Sequence, residues 1–529
     1  MKSKKGIFFL GLLIFLIFLK IDFRITNDLI CCNDDFDYFS HAETISEDLD
    51  FDYSNQLKDK SRYYRNNKNA PFGFLGTGLL SSPLILIGGL FDQIFNNNSP
   101  YINLKYLLYS FSSIFYVIFS LNLLKRIGIF YGVKLNYALY FFGSGIIYYA
   151  FERFSMTPIY EVFTILVVIY LSISFVKDSH NKKLVSLMIP LATLLSILVR
   201  WTNLFVLLIP YIIIIKFIDR KPDILKQFLN RYYFLSTLIS VALFSLHSKL
   251  IYGVVTFSPS YVYMVDEFDD LIKVDIIQNF PTFLLDSVTD LIIILSSQEF
   301  GLFWFSPIIF LGTVLSIWHL FTKRTYKNLI SNSLLVICFA QNYFIVSIWN
   351  STASSYGFRY LFSLIPLSFL VIFMNKEILN IKIIKQYLKL FSIFSIISVL
   401  FFESTTSTQL SLSPVLNSFG FEKMYSQPEY LTGVIKSFFD LESYLKILAT
   451  SYLGILFLKL SISLSDVIFV NELLSTSGFL NDDLTKLLFQ LNEIPVNYFV
   501  FVLLLSSVSS YYILRHFKYS GKETFTNLD

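Results

Sequence analysis

The stretch "FGFLGTGLLSSPLILIGGLF", residues 72–91, decides how this chain is threaded. It is apolar and near the ~20 residues that a helix needs to cross a bilayer. Whether it crosses sets the side on which every later loop lies. Its glycines and Pro83 weaken a straight spanning helix and suit one lying at the membrane interface.

The flanking loops arbitrate. Basic connections occur at "LKRIGIFYGVK" (124–134), "VKDSHNKK" (176–183), 216–231, "TKRTYKN" (322–328) and 375–389. Acidic or neutral ones occupy 24–73, 151–155, 252–300, 349–357 and 403–443. Basic loops favour the cytoplasm. The two kinds alternate along the chain only if 72–91 does not span. We therefore place it in the first external loop, residues 24–104, as an interfacial helix.

The whole chain agrees with this setting. Of its 529 residues 54% are hydrophobic and only 15% charged, against about 25% charged in a soluble domain. Its mean hydropathy is +0.60. The reading is an all-α polytopic membrane protein with about 11 to 13 transmembrane helices. Expected spans lie near 6–23, 105–123, 135–150, 157–175, 184–199, 202–217, 232–251, 302–321, 329–348, 358–374, 388–402, 444–462 and 495–514, with 463–494 unassigned. Residues 1–402 read as one transmembrane module, and 403–529 as an external loop with additional transmembrane helices. "MKSKK" with its apolar run resembles a signal peptide, but Lys20, Asp22 and Arg24 follow where a small-residue cleavage site would stand. It reads as an uncleaved first helix with a cytoplasmic N-terminus. The three cysteines, Cys31, Cys32 and Cys338, form no disulfide framework. Nothing points to nucleic acid.

Several external stretches carry chemistry. Residues 27–59 hold ten acidic side chains against one basic, Lys58. Within them "NDDFDYFSHAE" (33–43) puts Asp34, Tyr38 and His41 near one helix face. One Asn or Asp suffices to cap a helix, and three carboxylates in four positions exceed that need. Their repulsion would raise one carboxylate's pKa and suit it as a general base. The same cluster could instead hold a divalent metal at Asp34 and Asp35. "YYAFERFSMTPIYEVF" (148–163) brings Glu152, Arg153 and Glu161 to a helix entrance, where ionisable groups are costly. An interfacial Glu152–Arg153 pair is the plain alternative. Arg200 in "ILVRWTNLF" (197–205) stands at an external end, suited to binding phosphate or to snorkelling. "SSQEFGLFWFSP" (296–307) adds Glu299, and "IWNSTASSYGFRYLF" (348–362) adds Arg359. All share one predicted face, a combination that fits an anionic lipid-phosphate substrate.

Together these motifs resemble the GT-C superfamily of integral-membrane glycosyltransferases, which includes protein O-mannosyltransferases and lipid A aminoarabinose transferases. There an acidic pair opens the first external loop, followed by Tyr and Ala, as Asp34, Asp35, Tyr38 and Ala42 do here. "APFGFLGTGLLSSP" is similar to the family's Pro-Gly stretch before an interfacial helix, with Ala70 where a histidine is frequent. "LVRWTN" resembles an Arg-x-Thr-Asn junction, with Trp201 in place of proline. "EFGLFWFSP", "SYGFRYLFSLIP" and "YGVVTFSPSY" (252–261) resemble further motifs, in family order up to about residue 366. Residues 375–529 match nothing in the pattern.

The resemblance implies a GT-C-like fold and inverting transfer of a sugar from a polyprenyl-phosphate donor to a lipid, glycan or protein acceptor. Asp34 would be the base and Asp35 its support. Arg200 and Arg359 would hold the departing phosphate, and Tyr38, His41, Glu152, Arg153, Tyr252, Glu299 and Tyr356 would bind substrate. No cofactor is implied. The site would face the outside of a bacterial plasma membrane. The rival readings are a transporter or flippase for lipid-linked glycans, disfavoured by nearly charge-free midspans, and an O-antigen-type polymerase.

Overall fold

The computed structural model describes residues 2–19, 33–57, 64–95, 103–177, 181–217, 224–257, 280–323, 325–349, 356–405, 430–449, 451–464 and 496–517. Cys31, Cys32, Tyr261 and most of the 403–443 loop lie outside them. The described chain is almost wholly helical. After α1 (Lys2–Phe18) come α2 (Asn33–Glu43), α3 (Gly76–Ile94), α4 (Leu104–Phe130), α5 (Tyr137–Phe151), α6 (Pro158–Lys177) and α7 (Lys182–Val199). Then follow α8 (Trp201–Phe217), α9 (Arg231–Tyr252), α10 (Phe280–Ser296), α11 (Pro307–Thr322), α12 (Tyr326–Trp349), α13 (Arg359–Met374) and α14 (Lys382–Thr405). The last four are α15 (Tyr430–Ser437), α16 (Leu441–Ala449), α17 (Tyr452–Leu464) and α18 (Val496–Phe517).

Eight of these helices are long and apolar enough to cross a membrane. α9 turns Phe234, Leu235, Leu238, Val241 and Leu246 outward, each more than half exposed. Such a belt is unfavourable in water and natural against lipid. The chain is an all-α integral membrane protein. One expected span differs: the run 444–462 is divided between α16 and α17 rather than forming one straight helix. The backbone N–H of Tyr452 donates to Leu19 O at 2.8 Å, so α17 starts beside the end of α1.

The basic connections gather at one end of the bundle. Lys376 Nζ donates to Tyr131 O, Lys323 Nζ to Asn375 Oδ1 and Lys216 Nζ to Asn328 Oδ1. The acidic α2 lies at the other end, and α3 belongs to that end too. At Gly76 an added Cβ would lie 2.4 Å from Leu198 C, at the close of α7. At the far end of α3, Asp92 accepts the N–H groups of Leu104 and Lys105 at 2.8 and 2.9 Å, capping α4. Successive spans bring the close of α7 and the start of α4 to the same end, so α3 enters and leaves there. Its length and composition alone would allow a crossing.

Two local departures from regular helix shape that end. In α5 a π-turn at Phe142–Ile146 includes Gly145 at φ 86°, a conformation glycine adopts without strain. Ser306 donates to Ser144 O in this turn at 2.6 Å. The Asn-rich "RNNK" is a tight hairpin, with Asn66 and Asn67 both at positive φ and Tyr64 paired to Asn69. Its tip docks on the close of α9, where Asn66 Nδ2 donates to Tyr252 O at 3.4 Å.

Candidate active site

The acidic stretch folds as α2, and its three aspartates take three separate tasks. Asp35, 3% exposed, accepts from Arg153 Nε at 2.9 Å and Nη2 at 2.7 Å, while Ser155 donates to its other oxygen. Asp37 accepts the Phe72 N–H at 3.0 Å and anchors the loop that leads to α3. Asp34 alone stays partly open: its side chain is 41% exposed and its Oδ2 accepts from Arg359 Nη1 at 2.6 Å.

The arginines arrive through breaks in their helices. Arg200 is extended, at φ −157° and ψ 130°, between α7 and the 3-10 turn that starts α8. Asn203 Nδ2 donates back to Ser196 O in the last turn of α7 at 3.0 Å, an acceptor it shares with the Arg200 N–H at 3.3 Å. Arg359 likewise opens α13 on a 3-10 turn, two residues after Gly357 at φ 68°. Arg200 Nη1 lies 2.8 Å from Glu161 Oε1 on α6, which also accepts from Thr157 at 2.5 Å. Tyr360 presents its ring to both arginines, with centroids 4.4 Å from the Arg200 guanidinium carbon and 5.3 Å from that of Arg359.

Three carboxylates and three guanidiniums thus meet at this end of the bundle. The arginines still hold unused donors: Arg359 Nε is buried without a hydrogen-bond partner, and Arg200 Nη1 touches Glu161 without hydrogen-bond geometry. The charge balance corrects one expectation. Burial pushes Asp34 up, but Arg359, Arg153 and Arg200 pull it further down, so its carboxyl lies below the ordinary range. Attraction to the arginines outweighs repulsion between the aspartates. Tyr38, 7% exposed, lies in the same field, and burial raises its phenol above its usual value.

Other expected site residues hold the scaffold. His41 is fully buried; its Nε2 lies 2.9 Å from Gly73 O and its Nδ1 2.6 Å from Tyr53 OH. A carbonyl only accepts, so Nε2–H donates and Nδ1 accepts from Tyr53. Burial depresses the imidazole to about 3, only partly opposed by the Gly73 bond, so it is neutral. Tyr252 OH donates to the same Gly73 O at 2.6 Å. Tyr356 is buried among Phe300, Phe402 and Tyr430, its hydroxyl 2.8 Å from Ser398 Oγ. Glu152 closes α5, 9% exposed and near enough to Tyr356 to act on its charge. Arg153 reaches across to Asp35, so the partner it brings to the site is not its neighbour Glu152. Glu299 takes part in none of the site's ion pairs.

The structure adds Ser155, Thr157, Tyr360 and Tyr53 to the site and its support. Tyr360 could have been noticed beside Arg359 in "GFRYLF", whereas Tyr53 has no local signal. The aspartate pair offers no good metal seat. Asp35 is taken up by Arg153 and Ser155, Asp34 faces a guanidinium, and no group of three or more metal-ligating side chains occurs among the described residues.

Fold and site together define an all-α integral membrane protein with a partly open, ion-paired polar centre at one end of the bundle. No family model, curated protein or solved structure matches the chain.

Proposed function

We propose that the chain is a membrane glycosyltransferase of GT-C type, transferring a sugar from a polyprenyl-phosphate donor to a hydroxyl or amine acceptor. The observation that carries this reading is the partly exposed Asp34 carboxylate set beside three guanidiniums, two of which retain spare donors. The acceptor's O–H or N–H would lose its proton to Asp34 as the nucleophile attacks the anomeric carbon. The bond from that carbon to the phosphate oxygen would break, with inversion, and polyprenyl phosphate would leave with the bonding electrons. Arg359 and Arg200 would stabilise the phosphate by charge-assisted hydrogen bonds.

The depressed pKa of Asp34 fits this sequence. In the free protein the carboxylate is ionised at neutral pH and ready to accept a proton. A donor phosphate that shares the charge of Arg359 would weaken its pull on Asp34 and strengthen the base where it is needed. Asp35 would keep Arg153 and the start of α2 in place. The charge sorting of the loops supports a site on the outer face of a bacterial plasma membrane. The test is transfer of a radiolabelled sugar in membranes carrying wild type or Asp34→Asn. Transfer is expected to fall at least ~100-fold. Undiminished transfer by purified Asp34→Asn protein would remove Asp34 as the base.

A further inference from the structure

The opposite, basic end of the bundle holds a cavity of about 270 Å³ between the closing turns of α8, α11 and α13 and the start of α12. Its lining includes Lys216, His319, Lys323, Asn328, Asn332 and Asn375, and among the described residues no carboxylate lines it. Lys216 Nζ donates to Asn328 Oδ1 at 3.2 Å and Asn332 Oδ1 at 3.4 Å, and Lys323 Nζ donates to Asn375 Oδ1 at 2.7 Å. Those acceptors are neutral amides, so they orient both ammonium groups without cancelling their charge. The amides are themselves fixed: Asn332 Nδ2 donates to His319 O and Asn375 Nδ2 to Val371 O, each within 2.9 Å. His319 is 8% exposed, yet neither ring nitrogen has a hydrogen-bond partner. A buried imidazole carries at least one N–H that needs an acceptor, and leaving it unmade is costly.

Two oriented cations and one unsatisfied donor face a cavity whose described lining supplies no anion; Glu377, close enough to be felt by His319, lies outside that lining. We propose that this cavity is a phosphate-binding site, separate from the Asp34 centre and independent of any transferase activity. Its ligand is a phosphate monoester or phosphate ion, held by the ammonium groups of Lys216 and Lys323 and by a His319 N–H. A lipid headgroup and a soluble phosphate share that chemistry. The site sits at the end where the basic connections meet, so either could reach it.

The test reads the site itself, because the arginines at the other end could also bind phosphate. Full-length protein in a neutral detergent is treated with a water-soluble acylating reagent, and modification of Lys216 and Lys323 is followed by peptide mass spectrometry. One arm adds inorganic phosphate, another short-chain phosphatidic acid, each against chloride at equal ionic strength or the matching diacylglycerol. Saturable protection of both lysines by severalfold is expected from at least one arm. Phosphatidic acid alone would indicate a headgroup, and inorganic phosphate alone a soluble ligand. Arg359→Gln should keep the protection and His319→Ala should weaken it about tenfold. No protection in either arm, or protection equalled by the controls, would overturn the proposal. These wild-type measurements stand even if a His319 variant fails to fold.

Discussion

Protonating His41 should undock α2, and the cost can be worked from the structure. The imidazole is fully buried, its Nδ1 accepts from Tyr53 and burial holds its pKa at about 3. In the unfolded chain it returns to about 6.5, so between those values the unfolded state binds the extra proton. The stability contributed by the neutral ring is therefore full above about pH 6.5 and is lost as pH falls toward 3. Between pH 7 and pH 5 the loss is about 2 kcal/mol, at about 1.4 kcal/mol per pH unit beyond the unfolded pKa. His41→Gln removes the titration and retains a donor for Gly73 O. The assay is chemical or thermal unfolding of purified full-length protein across this range, scored as the wild-type minus His41→Gln difference. Histidines that do not interact with His41 cancel in that difference, and His247, which does, is replaced by Gln in both proteins. The gap should narrow by about 2 kcal/mol as pH falls from 7 to 5. Parallel pH profiles would refute the assignment of a neutral, buried His41.

Further consequences concern the ion pairs and α3. Asp35→Asn should destabilise by about 3–5 kcal/mol, because it strands the buried Arg153 charge, while Asp35→Leu with Arg153→Met should recover most of that loss in the same unfolding assay. Gly76→Ala forces a methyl against the Leu198 and Val199 backbone at 2.4 Å and should cost about 1–3 kcal/mol, read as a lowered Tm. Single cysteines replacing Tyr64 and Phe95, which flank α3, should react with a membrane-impermeant maleimide from the same side in a cysteine-free background. Labelling from opposite sides would mean that α3 crosses.

The helices and their order were legible because lipid demands it. A chain that must satisfy its backbone without water reads as apolar runs, and positive charge sorts the connections between them. Thus α6, α7, α9, α12 and α18 stand within a few residues of the expected spans, whereas α4 runs past the expected end and α14 begins before the expected start. The division of 444–462 was not visible, because apolar composition reports length and not continuity.

The site was legible as residue types and not as partners. Asp34, Asp35, Arg153, Arg200 and Arg359 stood out because charge beside a membrane is expensive. Which carboxylate meets which guanidinium depends on contacts between residues 118 and 325 positions apart, and no local pattern carries those. Hence the expected rise in an aspartate pKa became a fall for Asp34, and His41 moved from ligand to support. The sequence by itself determined a polytopic helical membrane protein with acid at one end and base at the other. Only the tertiary structure decided that Asp34 is the aspartate left partly open, since burial and pairing are settled where distant helix ends meet.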